Sequence, residues 1–222
     1  MTRFLAVQYL ILVIGTLLPI MNPFSTAPLF IALSSGRTVE DRNRQATLAC
    51  IYSFCILVTF LLAGRAIIQF FGISLPGIRV AGGLLIASLG FRMVFGSSDV
   101  RVEGADQQSA GDIAFTPLAM PSLSGPGSIS VVLTMSSEVP TNMLVNGHVV
   151  VIIGIAITCA IAWIVLRLST ALTKLVGRAG MDALTRIFGF LLVAIAMQFL
   201  LGGIADFYST RFPTLFQATP PS

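Results

Sequence analysis

Six stretches of this chain carry no Asp, Glu, Lys or Arg: 4–36, 45–64, 80–91, 113–137, 139–166 and 187–205. Each is rich in Leu, Ile, Val, Phe and Ala, and each is bounded by charge. A hydrocarbon layer about 30 Å thick is crossed by about 20 helical residues. Inside it every backbone N–H and C=O must find a partner within the protein, so apolar runs of this length predict helices. The 80–91 run is short by itself, and the third span is read as 74–96, with Arg79 and Arg92 reaching opposite interfaces along their apolar stems. Arg44 and Arg65 bracket the second span, and at about 1.5 Å per residue the helix between them is roughly 31 Å long. Thr38, with Asp41 three residues on, resembles a helix start in water.

Composition agrees. Hydrophobic residues make up 55% of the chain, charged residues 10%, and the mean hydropathy is +0.93, whereas soluble domains are nearer a quarter charged. The expectation is an all-α integral membrane protein with the lipid bilayer as its surroundings. A net charge of +4 would invite nucleic acid in a soluble chain, but here the basic residues sit beside apolar runs, as topology signals do, and no nucleic-acid partner is expected. The first run lacks a small-residue cleavage site and continues past Met21, which reads as a retained span. Cys50, Cys55 and Cys159 have no His or carboxylate at ligand spacing and read as small buried apolar residues.

Orientation follows from Lys and Arg. The face carrying the expected 34–44 loop, 97–112 linker and 167–186 loop holds Arg37, Arg42, Arg44, Arg92, Arg101, Arg167, Lys174, Arg178 and Arg186; the other holds Arg3, Arg65, Arg79 and Arg211. The first face is expected in the cytoplasm and both termini in the periplasm.

Within the first and fourth runs lies a proline ladder that occurs twice. Pro19, Pro23 and Pro28 (PIMNPFSTAPLF) match Pro117, Pro121 and Pro126 (PLAMPSLSGPGS) in a shared P-x3-P-x4-P spacing. Proline removes a backbone donor and clashes with the preceding turn, so each ladder should break its helix at membrane depth. A second echo relates Arg79-x-x-Gly82 and Gly96 to Arg186-x-x-Gly189 and Gly203. Three spans per copy is an odd number, so the second copy must be inverted, the arrangement of many secondary transporters. The expected division is 1–96 as the first three-helix repeat, 97–112 as a polar cytoplasmic linker, 113–206 as the inverted second repeat, and 207–222 as a tail. The first helix of each repeat is expected to be broken at its Pro-rich motif.

Broken helices free backbone groups that must face protein, water or a ligand. Positive N-terminal ends of half-helices suit a carboxylate, and unwound carbonyls and hydroxyls suit an ammonium or a cation. Asn22, Ser25 and Thr26 accompany the first ladder; Ser122, Ser124, Ser128, Gly125 and Gly127 accompany the second. The bland alternative is that each proline is only a kink and each small residue only packing. No Asp or Glu lies inside any run, which argues against a buried carboxylate proton relay. No nucleophile–base pair, metal-ligand cluster or phosphate loop is present, so neither an enzyme nor a cofactor or metal is expected. His148 reads as interfacial, and Arg65 and Arg167 as snorkelling span ends.

The chain resembles the MarC family of bacterial inner-membrane proteins, the group that includes the SnatA-type amino-acid transporters. The likeness is carried by NPFSTAPLF at 22–30, EDRNRQA at 40–46, FGISLPGIRVAGGLLIASLGFRMVF at 71–95, AFTPLAMPSLSGPGSI at 114–129 and GFLLVAIAMQFLLGGI at 189–204. The resemblance implies a six-span protein of the inner membrane and, by motif, a substrate site at Asn22, Pro23, Ser25, Thr26 and Pro28 with Pro121, Ser124, Gly125, Pro126 and Gly127. Ser25 and Thr26 stand where related proteins place Gly, which leaves the pocket size open. The leading expectation is a transporter or exporter of a small solute, a neutral amino acid being the first candidate, by alternating access. A channel-like or regulatory membrane protein is the alternative. Gly82, Gly83 and Gly90 could line a close helix contact within or between subunits.

Overall fold

The helix boundaries are set by local chemistry at the ends of the apolar runs. In a computed structural model, which describes residues 2–96, 112–138 and 144–212, the helices are α1 Thr2–Met21, α2 Pro23–Leu33, α3 Val39–Phe71, α4 Leu75–Phe95, α5 Pro126–Glu138, α6 Leu144–Arg167 and α7 Ser169–Arg211. A wound but irregular segment, Ala114–Leu123, precedes α5. Among the described residues there is no strand. Of the expected linker at 97–112 and tail at 207–222, residues 97–111 and 213–222 lie outside the described residues.

Thr38 is extended, and its hydroxyl accepts the Asp41 amide at 3.2 Å, starting α3 as anticipated. Ser74 caps α4 in the same way, accepting the Gly77 amide at 3.2 Å, and Gly96 closes α4 with φ 63°. The third span is therefore the extended one. Two expectations need correcting. The segment 167–186 was expected as a loop but is helical from Ser169, with Gly177 (φ 73°, ψ 172°) its one interruption, because most of its residues are the strong helix formers Ala, Leu, Met, Lys and Arg. The same helix also continues past Ala205, through Phe207 and Tyr208, to Arg211.

Six crossings result when α1–α2, α3, α4, the bent pair 114–123 with α5, α6 and α7 from Ala179 are each taken as one. Large apolar side chains such as Leu84, Phe95, Phe190 and Leu201 face outward, where lipid takes the place of water. The inside is a continuous cluster built around Leu17, Phe30, Leu57, Leu61, Ile86, Ile155 and Leu192. Cys50 and Cys159 are buried in it, but Cys55 is on the outer surface, on the lipid side of α3.

Helices in lipid gain little from excluding water and associate through close packing of small residues. α4 and the second part of α7 run antiparallel and touch backbone to backbone. A Cβ on Gly90 would lie 2.9 Å from the Gly189 carbonyl oxygen, and one on Gly203 would lie 3.0 Å from the Pro76 carbonyl oxygen. A Cβ on Gly83 would meet the Ala196 carbonyl oxygen at 3.0 Å, and one on Gly82 would meet Cβ of Ser130 on α5 at 2.6 Å. These glycines therefore serve contacts within the chain. α3 is fastened to α5 where the Ser136 hydroxyl donates to the Leu61 carbonyl at 2.7 Å and Arg65 Nε donates to the Ser136 carbonyl at 3.2 Å. Arg65 is thus engaged by a neighbouring helix as well as lying at a span end.

Candidate functional site

The two proline motifs share a spacing but not a geometry. In the first, α1 carries Pro19 and ends at Met21, and Asn22 takes a left-handed conformation (φ 43°, ψ 61°). Its Oδ1 accepts the Ser25 amide at 3.4 Å, capping α2, whose first residue is Pro23, where the missing N–H costs nothing. The turn is nearly continuous, since the Asn22 amide still donates to the Leu18 carbonyl at 3.0 Å and the Thr26 amide to the Asn22 carbonyl at 3.2 Å. Ala6–Leu33 therefore behaves as one span with a shallow break.

The second motif is a stepped coil. Thr116–Pro117 and Met120–Pro121 are cis peptides, and Thr116 (φ −121°, ψ 124°) and Met120 (φ −127°, ψ 124°) are extended, as residues before proline prefer to be. Hydrogen bonds that reach back five residues, from the Leu118 amide to the Ile113 carbonyl at 3.4 Å and from the Ser124 amide to the Ala119 carbonyl at 2.8 Å, hold it together. Gly125 is required next, because a Cβ there would collide with the Pro121 carbonyl oxygen. Pro126 then opens α5, and the two arms meet at 61°. The half-helix thus starts at the second rung of one ladder and at the third rung of the other.

Of the residues singled out by sequence, Asn22, Pro23, Thr26, Ser124 and Gly125 are buried, Ser25 and Gly127 are half-buried, and Pro28, Pro121 and Pro126 lie on the outer surface. The motifs meet through Gly127: a Cβ there would be 3.4 Å from Cγ2 of Ile20 and 3.1 Å from Cγ1 of Ile86. Around this crossing the hydroxyls are turned to their own backbone. Thr26 Oγ1 donates to the Asn22 carbonyl at 3.2 Å, Ser124 Oγ to the Ala119 carbonyl at 2.9 Å, and Ser128 Oγ to the Leu123 carbonyl at 3.2 Å. Asn22 Nδ2 points at Met93 Sδ, 3.0 Å away on α4. The Asn22 and Ala119 carbonyls also accept the amides of Thr26 and Ser124, so there the hydroxyl adds a second bond to a carbonyl already paired.

A cavity opens toward each end of the bundle. One, about 370 Å³, is lined by Leu12, Thr16, Arg79, Thr134, Met135, Ile195, Gln198, Phe199 and Gly202. Thr16 is about one turn from Ile20 and Thr134 about two turns from Gly127, so this cavity approaches the crossing from the side of the chain's N-terminus. Arg79, one of the lining residues, forms an ion pair with Asp206 on α7. The other cavity, also about 370 Å³, is at the basic end and is lined by Phe30, Val39, Arg42, Asn43, Arg167, Leu168, Thr170, Ala171 and Lys174. Residues from both the N-terminal and C-terminal halves line each. Gln198, Thr16 and Thr134 were not singled out by motif, and Arg79 stood out only in the repeat echo and as a span end; the available signal was that Arg79 and Asp206 are opposite charges at the ends of separate spans. Among the described residues no three His, Cys, Asp or Glu side chains come together as a metal site.

Comparison with known proteins gives this geometry a family. No solved structure matches the chain. The chain is 37% identical over 205 residues to an inner membrane protein MarC from Citrobacter koseri, with 87% of this chain and 93% of that protein covered. Its identity to an inner membrane protein MarC from Escherichia coli is 37% over 205 residues, with the same 87% and 93% coverage. The protein of that name from Salmonella typhimurium is 37% identical over 209 residues, again with 87% and 93% covered. The model of the MarC family integral membrane proteins matches residues 7–208. The chain is accordingly a multi-pass inner-membrane protein and belongs to the MarC family.

Proposed function

We propose that the protein is a secondary transporter or exporter of a small solute, a neutral amino acid being the first candidate, and that it has no catalytic role. The reading is carried by one observation: the packed crossing of Ile20, Ile86 and Gly127 lies between cavities that approach from opposite ends and are lined by both halves. Small-residue contacts of this kind let two bodies roll without opening a continuous aqueous path. Polar groups near the crossing are uncharged, which suits a solute that carries no net charge.

Alternating access is taken to arise from two inverted repeats. Supporting this, Arg79 packs beside Gly203 and Arg186 beside Gly96, and the sequence echo that relates Arg79 to Arg186 also relates Gly96 to Gly203. Exchange of the repeats turns each contact into the other. The excess of Lys and Arg at the end holding Arg42 and Arg167 supports placing that end in the cytoplasm and both termini in the periplasm.

Counterflow of labelled glycine and alanine into liposomes holding the purified protein tests the amino-acid reading; uptake no greater than in empty liposomes defeats it. Ser25→Cys and Ser124→Cys variants test the cycle. Labelling from opposite sides in alternation fits transport, whereas simultaneous labelling of both from both sides fits a channel.

A further inference from the structure

The basic-end cavity holds three cations and no carboxylate: Arg42 from α3, Arg167 from the end of α6 and Lys174 from the first turns of α7. Two of them are positioned by groups that leave their charge uncompensated. Arg42 Nη2 donates to Thr170 Oγ1 at 2.7 Å, and its guanidinium lies 5.9 Å from the Phe30 ring centre. The Arg167 guanidinium sits 4.6 Å from the Trp163 ring centre, and Trp163 is fixed by donation from Nε1 to Thr47 Oγ1 at 2.9 Å. Among the described residues the neighbouring acid Asp41 is engaged by Arg37 at 2.7 Å, and Glu40 lines an adjoining hollow with Arg44, Asn43 and Arg167.

The terminal Nη1 and Nη2 of a guanidinium form a fork that matches an oxyanion, and Lys adds a point charge. Leu168 and Leu175, the latter 87% exposed, stand beside the cavity on the outer surface, where acyl chains would lie.

We propose that this cavity binds a phosphate group, with Arg42 as its anchoring fork and Arg167 and Lys174 completing the charge. The phosphate comes either from the headgroup of an anionic phospholipid or from a free anion. The chain's single tryptophan is the residue under Arg167, so its fluorescence reports occupancy. The test titrates the full chain in uncharged detergent with inorganic phosphate, with short-chain phosphatidylglycerol, and with chloride as the reference anion.

A saturable change with phosphate supports the free-anion source; one with phosphatidylglycerol alone supports the headgroup. In either case Arg42→Gln and Lys174→Gln should weaken binding about tenfold or more, and Arg42→Lys should recover only part of the loss. Arg92→Gln, at the same end but outside the cavity, should leave binding unchanged. Absence of any saturable change beyond chloride overturns the proposal, as does equal weakening by Arg92→Gln. Retention of the wild-type melting temperature by Arg42→Lys separates lost binding from lost folding. Because binding is read without transport, the outcome does not depend on the solute-transport reading.

Discussion

Gly127 on α5 and Ile20 on α1 meet face to face: the Cβ that Gly127 lacks would sit 3.4 Å from Cγ2 of Ile20. With Ile86 at 3.1 Å from the same point, there is room for one methyl group and little beyond it. Gly127→Ala should therefore be tolerated after small shifts. Gly127→Leu should overpack the crossing and cost about 1–3 kcal/mol, read as a lower midpoint in a detergent thermal melt. Equal midpoints for Ala and Leu would mean that the crossing is loosely packed.

Adjacent glycines on α7 should behave oppositely. A Cβ on Gly203 meets the Pro76 carbonyl oxygen at 3.0 Å and Arg79 Cβ at 3.0 Å, while one on Gly202 meets nothing within 4 Å. Gly202→Ala should be neutral or slightly stabilising, because Ala favours helix by about 1 kcal/mol over Gly. Gly203→Ala should lose that gain and more, since backbone has to move. Thermal melts of the two single variants side by side give the comparison.

Asn22 joins two jobs in one side chain, the left-handed turn and the cap of α2. Asn22→Ala loses the cap and places Ala at φ 43°, and should cost about 1–2 kcal/mol. Asn22→Gly relieves the backbone while still losing the contact to Met93, and should fall between Ala and wild type. If Gly proved no better than Ala, the left-handed turn would not be what position 22 needs Asn for.

The ion pair of Arg79 with Asp206 ties α4 to α7 at a partly open position, with the side chains 22% and 43% exposed. Solvent reaches both, so a double-mutant cycle with Arg79→Gln and Asp206→Asn should give a coupling of about 0.2–1 kcal/mol. A coupling indistinguishable from zero would reduce the pair to a surface contact.

Some of this was legible in the chain because it is local. Charge-free runs fix the spans, Thr38 and Ser74 are caps that act within three residues, and Gly96 ends α4 because it alone tolerates the left-handed turn there. The proline spacing identified both breaks but not their depth. That depends on which residue precedes each proline and on Gly125 having no Cβ to collide with the Pro121 carbonyl, which a spacing does not encode. The partnership of Arg79 with Asp206 was not legible, since it requires knowing which spans are neighbours. The helix from Ser169 was missed because its charges were read as loop, although Ser, Thr, Ala, Leu and Lys all continue a helix and only Gly177 interrupts it.

The glycine seam between α4 and α7 has a mechanical meaning. One of these helices belongs to each half of the chain, and their backbones are too close to part without losing the whole contact. A motion of the halves that kept this contact would have to turn about that line, like a door on its pin. Such a turn moves the helices on either side of the pin together along their whole length, and the pin itself is drawn by Gly83, Gly90, Gly189 and Gly203.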